Sequence, residues 1–173
     1  MRKWAALLAA ALLLSLLTAC LTQSGQEEEG ARLWFITPSA QQKIQVTPAL
    51  ASCPYEGQET VSGLLAALLS GPPADSELAT PIPAGTRVVG WRLTDGVVNV
   101  EMSDTYAALA GIDLTLADYC LTLTLTQLPG VEGVRITVSG AGHSFQNRRV
   151  LRAEDVVLAD EEKQGEENFE KTS

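Results

Sequence analysis

Val61, Leu64, Leu65, Leu68 and Leu69 recur at the spacing of one helical face. Thr60 stands in front of them as an N-cap. Gly71 follows with the freedom needed to leave a helix, and Pro72 cannot continue one. A helix with a single apolar stripe must lay that stripe against a sheet or another helix. The stretch from Val61 to Gly140 supplies both, so the chain is organised around it.

Downstream, Pro81 and Pro83 hold Ala74 to Gly85 as an extended loop. Thr86–Leu93 and Val97–Met102 then flank Thr94-Asp95-Gly96. Asp-Gly supplies the positive φ angles of a tight hairpin turn. Val89, Trp91 and Leu93 share one face of the first strand, and Val98, Val100 and Met102 share one face of the second. Ser103 caps a short turn through Tyr106 and Leu109, which Gly111 breaks. Thr115 reads as the N-cap of a second helix, with Asp118 at the third position of a capping box. From Cys120 to Thr126 two patterns compete. Alternation and three threonines fit a strand, while Leu121, Leu125 and Leu128 fit a helix face. Pro129-Gly130 ends the element in either case. Val134, Ile136 and Val138 alternate as a strand, and Arg149–Leu158 adds a short strand or turn. Upstream, Arg32–Thr37 reads as a strand. So does Lys43–Ala49, on Ile44 and Val46, with the two joined through Ser39-Ala40-Gln41.

The N-terminus carries a different message. Arg2 and Lys3 precede an almost unbroken apolar run from Trp4 to Leu17. That run is short of the ~20 residues of a spanning helix and suits an export signal. Leu17-Thr18-Ala19-Cys20 resembles the bacterial lipobox. The resemblance implies that residues 1–19 are removed and that the Cys20 thiol carries a diacylglyceryl group. That covalent lipid is the only cofactor expected. Residues 20–31 read as a disordered acidic tether, 32–158 as the domain and 159–173 as an acidic tail. The net charge of −9, with 21 acidic against 12 basic residues, argues against nucleic acid as a partner.

Candidate chemistry is sparse. His143 is the single histidine, and with Ser144 it falls in a loop rather than in a base–nucleophile pair. Glu101, Asp104, Asp113 and Asp118 are the carboxylates from which a wall-cleaving pair would be drawn, but three of them sit at turn or cap positions. No metal site is expected, because one histidine and two remaining cysteines are too few ligands. Cys53 and Cys120 are a candidate disulfide outside the cell; two free thiols are the other reading. Gly140-Ala141-Gly142 lacks the context and the lysine of a phosphate loop.

Five segments in order resemble the GerMN domain of bacterial germination and sporulation lipoproteins. They are Leu65-Ala66-Ala67-Leu68-Leu69-Ser70-Gly71-Pro72-Pro73, Ile82-Pro83-Ala84-Gly85-Thr86, Asp95-Gly96-Val97-Val98-Asn99-Val100-Glu101-Met102-Ser103, Leu123-Thr124-Leu125-Thr126-Gln127-Leu128-Pro129-Gly130-Val131 and Val134-Arg135-Ile136-Thr137-Val138-Ser139-Gly140. The resemblance implies that the ambiguous stretch is helical. It also implies an α+β fold, a single small β-α-β-β-α-β domain with two helices on one face of a mixed sheet, similar to ring-building motifs. The best-known germination member carries two such modules and this chain one, so the likeness does not extend to self-assembly by tandem packing.

The function implied is that of a non-enzymatic interaction or scaffold module, lipid-anchored on the outer face of the cytoplasmic membrane and tied to sporulation or germination. Its partner would be an envelope protein or another copy of itself, met through the hairpin at Thr94, Asp95 and Gly96 or by strand addition at a sheet edge. The alternatives are a peptidoglycan- or solute-binding lipoprotein, or a regulator of envelope hydrolysis. With only three each of Trp, Tyr and Phe, the sequence is poor in stacking platforms for sugars.

Overall fold

A computed structural model describes residues 30–42, 49–140 and 148–156. The expected lipidation site Cys20, the tether before Gly30, most of the expected Lys43–Ala49 strand, His143 with Ser144, and the acidic tail lie outside them.

The strands divide between two sheets. Strand β1 (Arg32–Ile36) pairs antiparallel with β2 (Leu50–Pro54), Trp34 opposite Ser52. The second sheet runs in the order β3 (Val88–Thr94), β4 (Val97–Met102), β5 (Gly133–Val138), antiparallel across the hairpin and parallel between β4 and β5. Two helices cover it: α2 (Val61–Ser70) and α3 (Gly111–Leu125). The mixed sheet, the two helices and the α+β class agree with the expectation.

The first pair of strands departs from it. The described partner of β1 is Leu50–Pro54, and residues 43–48 of the expected Lys43–Ala49 strand lie outside the described residues. The expected turn at Ser39-Ala40-Gln41 is instead a single helical turn, α1 (Pro38–Gln41). Pro38 fits the first helical position, and the Thr37 hydroxyl accepts a hydrogen bond from the Ala40 N–H. The domain also starts earlier than expected. Ala31 is buried in the core, and its N–H donates to Glu59 Oε1 at 2.9 Å.

Helix α2 forms as its pattern dictates. Thr60 accepts from the Gly63 N–H at 3.1 Å, and Val61, Leu64, Leu65 and Leu68 are buried. Gly71 leaves the helix at φ +89. Each buried leucine contributes about 1.5–3 kcal/mol against exposure. These side chains meet Val98, Val100 and Met102 of β4, and Val134, Ile136 and Val138 of β5. Their neighbours Asn99, Glu101, Arg135 and Thr137 lie on the other, more accessible face. Both helices therefore sit on one side of the three-stranded sheet.

Helix α3 explains the ambiguous sequence. It begins at Gly111, one turn before the expected cap. Thr115 thus lies inside the helix, where its hydroxyl donates to the Gly111 carbonyl at 3.1 Å. The helix is buried on two sides. Ala117, Leu121 and Leu125 enter the main core. Leu116 and Cys120 enter a second cluster with Ile36, Leu50 and Val156. Thr122 and Thr124 are fully buried as well, which erases the usual stripe. Their hydroxyls are satisfied: Thr122 donates to the Asp118 carbonyl at 2.8 Å, and Thr124 Oγ1 accepts from the Trp34 N–H at 3.0 Å.

That last bond belongs to a pattern. The outer edge of β1 is closed without another strand. The Arg32 N–H donates to Gln127 Oε1 at 2.9 Å, and Gln127 Nε2 donates back to the Arg32 carbonyl at 2.8 Å. Ile36 exchanges both backbone hydrogen bonds with Ala79. A threonine and a glutamine at the C-terminal end of α3 thus stand in for strand partners.

Candidate functional site

Asp118 is the most unusual polar residue of the described chain. It is only 3 % exposed and lies midway along α3. Tyr106, fully buried in the 3-10 turn Asp104–Ala108, donates its phenol to Asp118 Oδ1 at 2.9 Å. The Arg148 guanidinium grips the same carboxylate with both terminal nitrogens, through Nη1 to Oδ1 at 3.1 Å and through Nη2 to Oδ2. Fork-on-carboxylate pairing of this kind is the strongest form an Arg–Asp contact takes.

Burial pushes the Asp118 carboxyl above its usual range, while Arg148 and the Tyr106 hydroxyl pull it back down. Burial, and then the neighbouring Asp118 charge, hold the Tyr106 phenol well above its ordinary value. The phenol therefore stays a donor and the pair stays closed. Thr115, Tyr119, Ile136, Arg149 and Leu151 line a cleft of about 290 Å³ beside Asp118 and Arg148. The acid facing it is already committed to a cation and a phenol, so the arrangement clamps the segment around Arg148 to α3.

The other carboxylates weighed for catalysis are scattered. Glu101 is exposed on β4, Asp104 in the 3-10 turn and Asp113 in the first turn of α3. Among the described residues no three of His, Cys, Asp and Glu are placed to hold a metal. Cys53 and Cys120 are free thiols, so the bridge weighed from the sequence is not formed. Cys53, on β2, packs against the main core, whereas Cys120 is buried in the second cluster. Burial pushes the Cys120 thiol up to about 12 and also raises that of Cys53, against the pull of Arg32.

The hairpin is where the sequence placed it. Asp95 and Gly96 take φ of 51 and 76, as a tight two-residue turn requires. Thr94 and Asp95 are exposed, but Gly96 is anchored: its carbonyl accepts from the N–H groups of Glu132 at 2.7 Å and Gly133 at 3.3 Å. A bulge near Val89 shifts the register between Val88 and Gly90. Beyond it, Trp91 and Leu93 face the helix side, opposite Val100 and Val98. They overhang the helix layer, each 44 % exposed, and the Trp91 indole donates to Ser62 Oγ on α2 at 3.0 Å. Val89 beside them is 56 % exposed.

The outer edge of β5 is met by Leu151, which exchanges both hydrogen bonds with Val134. The outer edge of β3 has no such partner among the described residues. An open strand with an apolar row is the most distinctive surface of the domain.

Two helices over a small mixed sheet, with the β1–β2 pair held beside them by Thr124 and Gln127, make this a domain of the GerMN type. It superposes on the tandem GerMN domains of the sporulation protein GerM from Bacillus subtilis with a TM-score of 0.51 at 14 % identity, over 76 % of this chain and 48 % of that one. The chain thus spans about half the length of that structure. The chain belongs to the family described as Germane, sporulation and spore germination, whose model matches residues 32–143. Looser similarity extends to a putative lipoprotein from Clostridium perfringens, with a TM-score of 0.48 and 19 % identity over 61 % of this chain and 76 % of that one. The first GerMN domain of GerM alone gives a TM-score of 0.48 and 19 % identity over 64 % of this chain and 82 % of that one. No curated protein matches the sequence.

Proposed function

We propose that this chain is a lipid-anchored, non-enzymatic interaction module on the outer face of the cytoplasmic membrane, serving a sporulation or germination assembly. Membership of the sporulation and germination family supports the setting, and Leu17-Thr18-Ala19-Cys20 behind an apolar leader supports the anchor. The observation that carries the interaction role is the open β3 edge, with Trp91 and Leu93 exposed along it beside the Thr94–Gly96 turn. Such an edge takes a partner by strand addition, and the partner is an envelope protein or a second copy.

The test is crosslinking of the lipidated protein in cells, with mass spectrometry of what co-purifies and a Cys20→Ser control. An envelope protein or a second copy that recurs in the wild type and disappears with the anchor supports the reading. Recovery of muropeptides alone sinks it and points to wall binding.

A further inference from the structure

The β3 edge is complementary to itself. We infer that its partner is a second copy of this chain, paired antiparallel β3 to β3 about a two-fold axis at Trp91. This rests on the interaction-module reading and names the occupant of the edge.

The backbone permits the pairing. In a two-residue hairpin the flanking pair, here Thr94 and Val97, exchanges both hydrogen bonds, and bonded pairs then alternate. Thr94, Arg92 and Gly90 therefore bond inward to β4. Trp91 and Leu93 turn their N–H and C=O groups outward. Centring the pairing on Trp91 sets these outward groups against their counterparts in the second copy.

The side chains agree with that register on both faces. On the helix side, Trp91 meets Trp91 of the second copy, and Leu93 meets its Val89. The apolar residues that leave the edge exposed are thereby brought together. On the other side, Arg92 falls opposite Gly90 of the second copy. A Cβ at Gly90 would meet nothing within 4 Å, so the surface there is open. Just past Gly90 lies Glu101, its neighbour on β4. Two strand spacings, about 10 Å, separate Arg92 from Glu101 of the second copy, a span their side chains cover together. Arg92 and Glu101 form no ion pair among the described residues. Symmetry makes the contact twice, giving two opposite-charge pairs across the axis. The bulge near Val89 confines the regular pairing to the segment around Trp91.

The full chain, extracted from membranes in mild detergent, should give a dimer by native mass spectrometry. Arg92→Glu sets like charges against Glu101, and Glu101→Arg sets them against Arg92. Each change should weaken dimerisation by on the order of tenfold, because two exposed pairs are inverted at once. Mixing the two variants should restore a dimer made of one copy of each, since both charge contacts are then opposite in sign. That rescue separates a lost contact from a misfolded chain. A monomeric wild type, variants that dimerise as well as the wild type, or a mixture that stays monomeric overturns the proposal. A monomer that still crosslinks in cells to another envelope protein overturns the dimer alone and leaves the interaction module standing.

Discussion

The phenol of Tyr106 and the carboxylate of Asp118, 2.9 Å apart, join the 3-10 turn before α3 to the middle of that helix, and Arg148 closes the group from the far end of the domain. Removing any member leaves the others underpartnered in a dry setting. Tyr106→Phe should cost about 1–2 kcal/mol. Asp118→Ala should cost about 3 kcal/mol, at the low end for a broken buried pair because Arg148 keeps some contact with water. Urea midpoints measure both. A Tyr106→Phe midpoint equal to wild type would show that the phenol contributes nothing net.

Cys120 gives a pH dependence of definite sign. Its thiol ionises at 9.0 when exposed and at about 12 in the fold. Between those values the native state holds a proton that the unfolded chain has released, so stability falls as pH rises from 9 toward 12. The full effect is about 4 kcal/mol, from roughly three units at 1.36 kcal/mol each. Cys120→Ala should be less stable at neutral pH, by about 1–2 kcal/mol for the cavity. Its stability should fall less steeply above pH 9. Parallel curves for the two proteins over that range would contradict the linkage.

The same burial predicts thiol selectivity. In native protein an alkylating reagent should label Cys53, half-covered on β2, and leave Cys120 untouched until unfolding. Peptide mass mapping reads the two sites separately. Labelling of Cys120 at the rate of Cys53 would mean that the second cluster opens far more often than its packing implies.

Thr124 and Gln127 should hold β1 in place. Thr124→Val keeps the shape and strands the Trp34 N–H, at a cost of about 1–2 kcal/mol. Gln127→Ala frees both backbone groups of Arg32, which are closer to solvent, at about 1 kcal/mol. Hydrogen exchange should quicken at Trp34 in the first variant and at Arg32 in the second. Unchanged exchange at both would assign the stability of β1 to β2 alone.

Gly96→Ala should destabilise by about 1–2 kcal/mol, since φ is 76 and the new Cβ would lie 3.0 Å from the Glu132 side chain. A thermal melt reads this directly. An unaltered melting temperature would mean that Glu132 swings aside and the turn relaxes freely.

Local pattern carried much of the architecture. One face of α2, the Asp95-Gly96 turn and the alternation of β4 and β5 each have one buried side, and a one-sided element declares its period in the sequence. Helix α3 does not, because two clusters bury it and its Thr124 serves the backbone of β1 from 90 residues away. Asp118 was equally hidden. A carboxylate three residues after a threonine reads as a cap, and nothing local reveals that Arg148, 30 residues on, will claim it. The partner of β1 is hidden for a related reason. Ile44 and Val46 alternate, but Leu33, Phe35 and Ile36 select Leu50–Pro54 by register and packing that no short window contains.

The closed edge of β1 bears on how far any assembly of these domains can grow. Hydrogen bonds to Thr124, Gln127 and Ala79 occupy that strand, and Leu151 blocks part of β5. Among the described residues, β3 keeps its whole outer side free, while β5 keeps only the part beyond Val134. Filaments and rings propagate head to tail and need two unlike docking faces on each subunit. A contact of β3 with β3 about a two-fold axis is not of that kind: it uses the same side of both copies and closes on itself.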